Sequence, residues 1–217
     1  MSAPKRTATA LLATGALLLG GTASASAACP GEDVWASEQS MSATEASLLC
    51  LINERRRSAG VGTVVPNGQL AAAAHRHASD MVDRGYFSHT APGGVSFIDR
   101  IVGTGYTDFN GSWLVGENLV WGTGPLSTPK QMVQAWMNSP AHRENLLRDR
   151  FREIGLAAVP GTPRNASDRD GVTVASEYGY RSGVAPKRAK KKARRARAAK
   201  RRARIAAKRR ARARARS

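Results

Sequence analysis

Apolar residues recur at helical spacing in three stretches of the chain. In the first, Ser42-Ala43-Thr44-Glu45 has the form of a capping box, and the apolar face that follows predicts a helix to about Ala59. A second helix is predicted from about Gly68, through an alanine run, to Val82. The third has proline in its first turn, at Thr128-Pro129, and must end before the next proline.

Three other stretches are apolar and rich in residues that favour strands. They are residues 113–121, 153–159 and 171–180, and turn residues separate the last two. The helices come first, the strands later, and no alternating βαβ rhythm is present. This order predicts an α+β layered domain.

The beginning of the chain predicts export. Residues 1–27 contain Lys5 and Arg6, then an apolar run, then small residues that end just before Ala28. This is the pattern of a secretory signal peptide, and the mature chain would begin near Ala28. The apolar run is about half the roughly 20 residues that a spanning helix needs. We therefore expect a secreted, extracellular protein that associates with the cell wall.

The two cysteines, Cys29 and Cys50, follow this export signal, so a disulfide between them is favoured over free thiols. The bridge would tie an N-terminal segment, residues 28–41, to the first helix. One folded domain is expected over residues 42–182, followed by a tail over residues 183–217.

The net charge of +18 belongs to the tail. Residues 1–184 contain 16 Lys/Arg and 16 Asp/Glu, whereas residues 185–217 contain 18 Lys/Arg and no acid. The tail alternates alanine with basic residues and has no aromatic side chain, so it cannot form a core and is predicted to be disordered alone. Its expected partners are anionic cell-envelope polymers or lipid headgroups, with nonspecific nucleic-acid binding as a further possibility.

The candidate chemistry lies in three short phrases, Phe87-Ser88-His89, Gly116-Glu117-Asn118 and residues 136–143, which read Trp-Met-Asn-Ser-Pro-Ala-His-Arg. Together with Asn53-Glu54-Arg55-Arg56 and the alanine-rich stretch from Leu70 to Met81, they resemble the CAP superfamily. That superfamily comprises cysteine-rich secretory proteins, antigen 5 and pathogenesis-related proteins, and the resemblance is to its bacterial secreted branch. It runs from about residue 48 to residue 180.

The resemblance implies a three-layer α-β-α sandwich around a central, largely antiparallel sheet. It also implies a cleft in which His89 matches the first histidine, Glu117 the first acid and His142 the second histidine. The family's second acid is missing from residues 136–142, where Asn138 and Ser139 stand instead. Asn118, Ser139 and Trp136 are expected to support the cleft.

Two histidines and one glutamate can form the first shell of zinc or another divalent metal with an open position. The alternative is that His89, Glu117 and His142 only brace the cleft by hydrogen bonds. His75 and His77 lie two apart on a helix and therefore point in different directions, so we interpret His77 as a packed structural residue.

Three functions remain open at this point. The first is a binding protein whose cleft takes a metal or a small lipid or peptide ligand, and whose tail holds it at the envelope. The second is a hydrolase that uses His89, Glu117 and His142 as its catalytic groups, directly or through a metal. The third is a polyanion-binding protein with a ligand-free CAP scaffold. We expect a monomer, and the sequence favours binding over catalysis.

Overall fold

The computed structural model describes residues 28–107 and 111–182. The predicted signal peptide, residues 1–27, and the predicted tail, residues 183–217, lie outside the described residues. Within the described part, no helix combines the length and the apolar character needed to cross a membrane.

The helices and strands follow the predicted order, with additions. The helices are α1 (Met41–Ser58), α2 (Gly68–Arg84), α3 (Phe97–Val102), α4 (Pro129–Asn138) and α5 (Pro140–Leu147), and the strands are β1 (Val65–Pro66), β2 (Trp113–Thr123), β3 (Glu153–Pro160) and β4 (Gly171–Arg181). Two 3₁₀ turns cover Ala36–Glu38 and Gly124–Ser127.

The four strands form one sheet in the order β1-β3-β4-β2. The pairs β3/β4 and β4/β2 are antiparallel, and the short β1 runs parallel to β3. The predicted α+β fold with a largely antiparallel sheet is confirmed, although the parallel pair makes the sheet mixed rather than purely antiparallel.

Each face of the sheet carries its own apolar core, because side chains alternate along a strand. On one face, Val174 and Tyr178 of β4 pack with buried residues of α1, α4 and α5. On the other face, Ala157 and Ala175 pack with Ala74, Ala78 and Met81 of α2. The domain is therefore a three-layer α-β-α sandwich, as predicted.

One predicted helix boundary needed correction, and one short helix was not predicted. The N-cap of α1 is Ser40, whose hydroxyl accepts from Ala43 N–H, rather than Ser42. Glu45 is consequently not part of a capping box and accepts from Ala158 N–H of β3 instead. The third helix ends before Pro140 as expected, but a new helix, α5, begins at that proline, because proline suits a first helical turn.

The predicted disulfide between Cys29 and Cys50 is present, with a Cα–Cα distance of 5.8 Å. It ties the segment before α1 to the middle of that helix. By the loop-entropy model, a bridge across 21 positions stabilises the fold by about 3 kcal/mol.

Arg56 joins α1 to the segment between α5 and β3. Its buried guanidinium donates to the carbonyls of Gly62, Leu146, Arg148 and Phe151. These acceptors replace water for a charge that is fully removed from solvent, so Arg56 braces the packing.

Gly155 permits a close approach of α2 to the sheet. A Cβ atom at this position would lie 2.0 Å from the backbone carbon of Leu70 in α2. We predict that Gly155→Ala lowers the free energy of unfolding by about 3 kcal/mol, because α2 would have to move away from β3. Chemical denaturation followed by circular dichroism measures this change.

The matched control is Gly68→Ala in the first turn of α2, where an added Cβ meets nothing within 4 Å. This variant should be neutral or more stable by up to about 1 kcal/mol. Equal stabilities for the two variants would contradict the close-approach argument.

Candidate functional site

A buried carboxylate organises the candidate site. Glu117 of β2 is 3 % exposed, and its side chain has a histidine on one oxygen and an arginine on the other. The Nδ1 atom of His89 lies 2.7 Å from Oε1, and Arg100 Nη2 donates to Oε2 at 2.6 Å. Burial acts to raise the pKa of Glu117, but hydrogen bonds from His89 and Glu177 and the charge of Arg100 outweigh it and lower that pKa.

Arg100 also fixes the loop that carries His89. It lies on α3, whose N-terminus has a capping box between Ser96 and Asp99. Besides the bond to Glu117, its guanidinium donates to the carbonyl oxygens of His89 and Val95. One buried cation therefore fixes both the carboxylate and the backbone of the histidine that this carboxylate orients.

His77 supports the same loop from α2. It is 1 % exposed, and its Nε2 atom lies 2.8 Å from the carbonyl oxygen of Ser88, the residue before His89. Desolvation is the main cause that lowers the pKa of His77, so its imidazole is neutral at neutral pH and Nε2 donates to Ser88. These contacts agree with the structural role predicted for His77.

A second carboxyl group, Glu177 of β4, lies directly across the sheet from Glu117. The backbone N–H and C=O groups of Glu177 bond to β3, so Glu117 and Glu177 form a non-hydrogen-bonded pair of β2 and β4. In such pairs the opposite side chains lie closest together. Glu177 is fully buried, and no donor among the described residues bonds either of its oxygens.

These surroundings keep a proton on Glu177. Desolvation, followed by the negative charge of Glu117, raises its pKa well above the usual value. The protonated carboxyl can then donate to Glu117, whereas two ionised carboxylates would repel each other without water. The pair therefore carries one negative charge, which Arg100 balances.

His142 approaches His89 from the opposite face of the sheet. It lies in the first turn of α5, and the two imidazole centroids are 6.4 Å apart. Its carbonyl oxygen accepts from Asn118 Nδ2, and Asn145 Nδ2 donates to Asn118 Oδ1 and to the backbone oxygen of Glu117. Partial burial, followed by the charge of His89, lowers the pKa of His142, so its ring is neutral at neutral pH.

The expected supporting residues hold the free edge of β2 against α4 and α5. Trp136 is buried, and its indole N–H donates to the Leu119 carbonyl oxygen on that edge. Asn118 anchors α5 through its bond to the His142 carbonyl oxygen. Ser139 is the residue between α4 and α5, where its backbone caps the end of α4 and its hydroxyl makes no capping bond to α5.

The structure brings His89, Glu117 and His142 together, but not as three ligands around one point. Within the described residues, the one group of three metal-capable side chains whose donor atoms all lie within 4.8 Å of one another is Cys29, Cys50 and Glu54, and its sulfurs form the disulfide. Both oxygens of Glu117 are already hydrogen-bonded. Glu117 is therefore placed to orient His89 rather than to contact a metal, which revises its predicted role as a direct ligand.

The remaining donor set still fits a divalent ion. His89 uses Nδ1 for Glu117, which leaves Nε2 for a ligand, and the neutral ring of His142 can also coordinate. A carboxylate behind a ligating imidazole is the usual arrangement in metal sites.

Two residues of this site were missed in the sequence. The second acid, which the resemblance placed near His142 and which seemed absent, has a counterpart in Glu177. A glutamate inside an apolar strand pattern was the available signal for Glu177. Arg100 had no such signal, because nothing in its local sequence indicates that it faces β2.

The sequence matches the family model described as CAP, cysteine-rich secretory protein family, over residues 49–177. The uncharacterised protein YkwD of Bacillus subtilis (strain 168) is 33 % identical over 120 residues, which cover 55 % of this chain and 44 % of YkwD. The uncharacterised membrane protein YlbC of the same organism is 30 % identical over 127 residues, which cover 58 % of this chain and 34 % of YlbC. The chain thus spans less than half the length of these relatives.

Two solved structures share the fold. An extracellular protein containing an SCP domain from Bacillus anthracis has a TM-score of 0.52 and 25 % identity, covering 64 % of this chain and 40 % of that protein. An outer surface protein of Borrelia burgdorferi has a TM-score of 0.55 and 22 % identity, covering 66 % of this chain and 97 % of that protein.

The proton that Glu177 holds beside Glu117 predicts how the free energy of unfolding depends on pH. The raised pKa of Glu177 means that the folded protein holds a proton that the unfolded chain loses near the usual glutamate value of 4.5. The contribution of Glu177 to the free energy of unfolding therefore falls as pH rises above that value, by up to about 1.4 kcal/mol per unit. Glu177→Gln keeps a donor for Glu117 and removes this loss.

We expect the variant to gain stability relative to the original protein between pH 5 and pH 7, as measured by denaturant titration at each pH. Glu144→Gln, at an exposed position, is the control and should show no such trend. A constant difference between the Glu177 variant and the original protein across this range would contradict the shared proton.

Proposed function

Because the chain belongs to the CAP family of cysteine-rich secretory proteins, we propose that it works outside the cell as a binding protein. Its cleft takes a divalent metal ion or a small ligand between His89 and His142, and its basic tail holds it at the anionic cell envelope. The export pattern of residues 1–27 supports this location, as does the similar extracellular protein of Bacillus anthracis.

The hydrogen bond between His89 and Glu117 is the observation that carries the cleft proposal. A bond of 2.7 Å to a buried carboxylate fixes the tautomer and the ring orientation, so that Nε2 presents a lone pair toward the cleft. The His89 side chain is 51 % exposed, so a ligand can reach that nitrogen. A histidine that served only as a brace would not need its second nitrogen open to solvent.

The metal would be held by His89 Nε2 and by His142, with Glu117 and Arg100 behind His89. A bound divalent ion would supply a Lewis-acidic centre for an anionic or carbonyl ligand. Glu117 and Arg100 fix the angle of the His89 ring, and the bond from Asn118 to the His142 carbonyl oxygen fixes the first turn of α5.

Charge segregation supports the role of the tail. Residues 1–184 contain equal numbers of acidic and basic residues, so an approaching polyanion is attracted mainly by residues 185–217. Each basic residue near an anionic membrane surface contributes about 1 kcal/mol, which makes this segment sufficient for attachment by itself.

Zinc titration of the untagged mature chain, residues 28–217, tests the cleft. We expect one Zn²⁺ per chain by isothermal titration calorimetry and loss of this binding in the His89→Ala/His142→Ala double variant. The control is His75→Ala, which removes an exposed histidine of α2 outside the cleft and should bind normally.

The Glu117→Gln variant tests whether Glu117 binds the metal directly or only orients His89. If Glu117 acts through His89, zinc affinity should fall by about 10- to 100-fold rather than disappear. Zinc binding that persists in the double histidine variant would refute the assignment of the site.

Deletion of residues 185–217 tests attachment. We expect the full mature chain to cosediment with vesicles that contain phosphatidylglycerol, to dissociate as salt rises, and to ignore phosphatidylcholine vesicles. The truncated chain should stay in solution. A matched control replaces the segment by a Gly/Ser segment of the same length, and equal vesicle binding by all three proteins would rule out attachment through the tail.

A further inference from the structure

The outer edge of β3 is only partly covered. The odd-numbered residues of β3 form the hydrogen-bonded pairs with β4. The even-numbered residues of β3 therefore direct their backbone N–H and C=O groups away from β4, toward the outer edge. On that side, β1 is two residues long and pairs only with Glu153 and Ile154. Among residues 28–107 and 111–182, no strand lies beside the edge beyond Ile154.

Other groups protect most of the remaining edge. Glu45 of α1 accepts from the Ala158 N–H at 3.0 Å, and Pro160 has no N–H to offer. Leu156 lies between them. No hydrogen bond joins its edge-facing N–H or C=O to another group in residues 28–107 or 111–182, so one backbone donor and one acceptor remain for an added strand.

Leu156 lies in a groove of about 330 Å³ between α1 and α2. One wall is formed by Glu45, Ala46 and Leu49 of α1, and the other includes Gly68 and Ala71 of α2. The α2 wall is built from the smallest residues, whereas the α1 wall carries a carboxylate. The groove therefore suits a strand with a small side chain on one face and a basic side chain on the other.

The charge of the Glu45 carboxylate is not balanced by a neighbouring lysine or arginine in the described residues. No lysine or arginine in the described part of the chain forms a salt bridge with it, although its side chain is partly buried. Desolvation is the main cause that raises its pKa. A guanidinium in the groove would offset this loss of hydration and pair with the oxygen that Ala158 does not use.

The chain itself contains a segment with the required alternation. Residues 211–217 read Ala-Arg-Ala-Arg-Ala-Arg-Ser, and in an extended strand this sequence places alanine on one face and arginine on the other. Ser182 lies six positions beyond Ser176, the β4 partner of Leu156, so the distance along the sheet is roughly 20 Å. The intervening residues 183–210 can span several times that distance.

We propose that the Ala-Arg repeat of residues 211–217 docks in this groove as an added strand beside Leu156, with an arginine paired to Glu45 and alanines against Gly68 and Ala71. Docking at the groove and binding of a polyanion then compete for the same arginines. The domain would hold part of its own tail when no polyanion is present and release it on contact with the envelope.

Hydrogen exchange at the Leu156 amide tests the docking in the full mature chain. The key variant reorders residues 211–217 from Ala-Arg-Ala-Arg-Ala-Arg-Ser to Ala-Ala-Ala-Arg-Arg-Arg-Ser, which keeps length, composition and charge but removes the alternation. We expect at least tenfold faster exchange of the Leu156 amide in this variant, with unchanged exchange in β4. Rates that agree within twofold would overturn the proposal.

Glu45→Gln is the second test, because glutamine can still accept from Ala158 N–H while the charge is lost. It should also accelerate exchange at Leu156, and the exposed Glu38→Gln should not. Protection that survives tenfold dilution supports docking within one chain, whereas protection lost on dilution would assign the groove to a second copy and overturn it.

Vesicle sedimentation of the reordered variant separates the two roles of the tail. It should bind phosphatidylglycerol vesicles at least as tightly as the original chain, because its charge is unchanged and docking no longer competes for the arginines. If neither protein bound vesicles, attachment would fail while the exchange result could still stand.

Discussion

The negative charge of Glu117 is the constraint on which the cleft depends. A carboxylate with almost no solvent contact is stable only if each oxygen has a partner, and here the partners are His89, Arg100 and the proton of Glu177. Each partner belongs to a different element, so the charge fixes the relative positions of the loop after α2, of α3 and of β4. Orientation of His89 is a consequence of this balance.

The cleft lies over the free edge of β2 and draws on both faces of the sheet. His89 is fixed from the face covered by α2 and α3, and His142 comes from α5 on the other face. Side chains from α4 and α5 hold the carbonyl oxygens of Glu117 and Leu119 on that edge. The spacing of the two imidazoles therefore depends on the packing of two helical layers on opposite faces of the sheet.

Periodicity in the sequence predicted the long elements well, because α1, α2, α4, β3 and β4 each carry a repeating apolar face. Periodicity did not predict the elements whose formation or position depends on tertiary contacts. Two-residue β1 exists only because it pairs with β3, and short α3 is placed by the bonds of Arg100. Glu177 was not predicted as a site residue for the same reason, since its partner Glu117 lies 60 positions away and becomes its neighbour only through the β2–β4 register.

The outward backbone groups of an edge strand need hydrogen-bond partners, and this requirement shapes both the cleft beside β2 and the groove beside β3. At β2, side chains from α4 and α5 satisfy the outward backbone groups, and the edge can support a rigid site. At β3, Glu45 accepts from the Ala158 N–H and Pro160 has no N–H to satisfy, whereas the outward backbone groups of Leu156 have no partner in the part of the chain that the structure describes. An open backbone pair beside an uncompensated carboxylate is a site for an extended cationic segment, and the chain supplies one in its own tail.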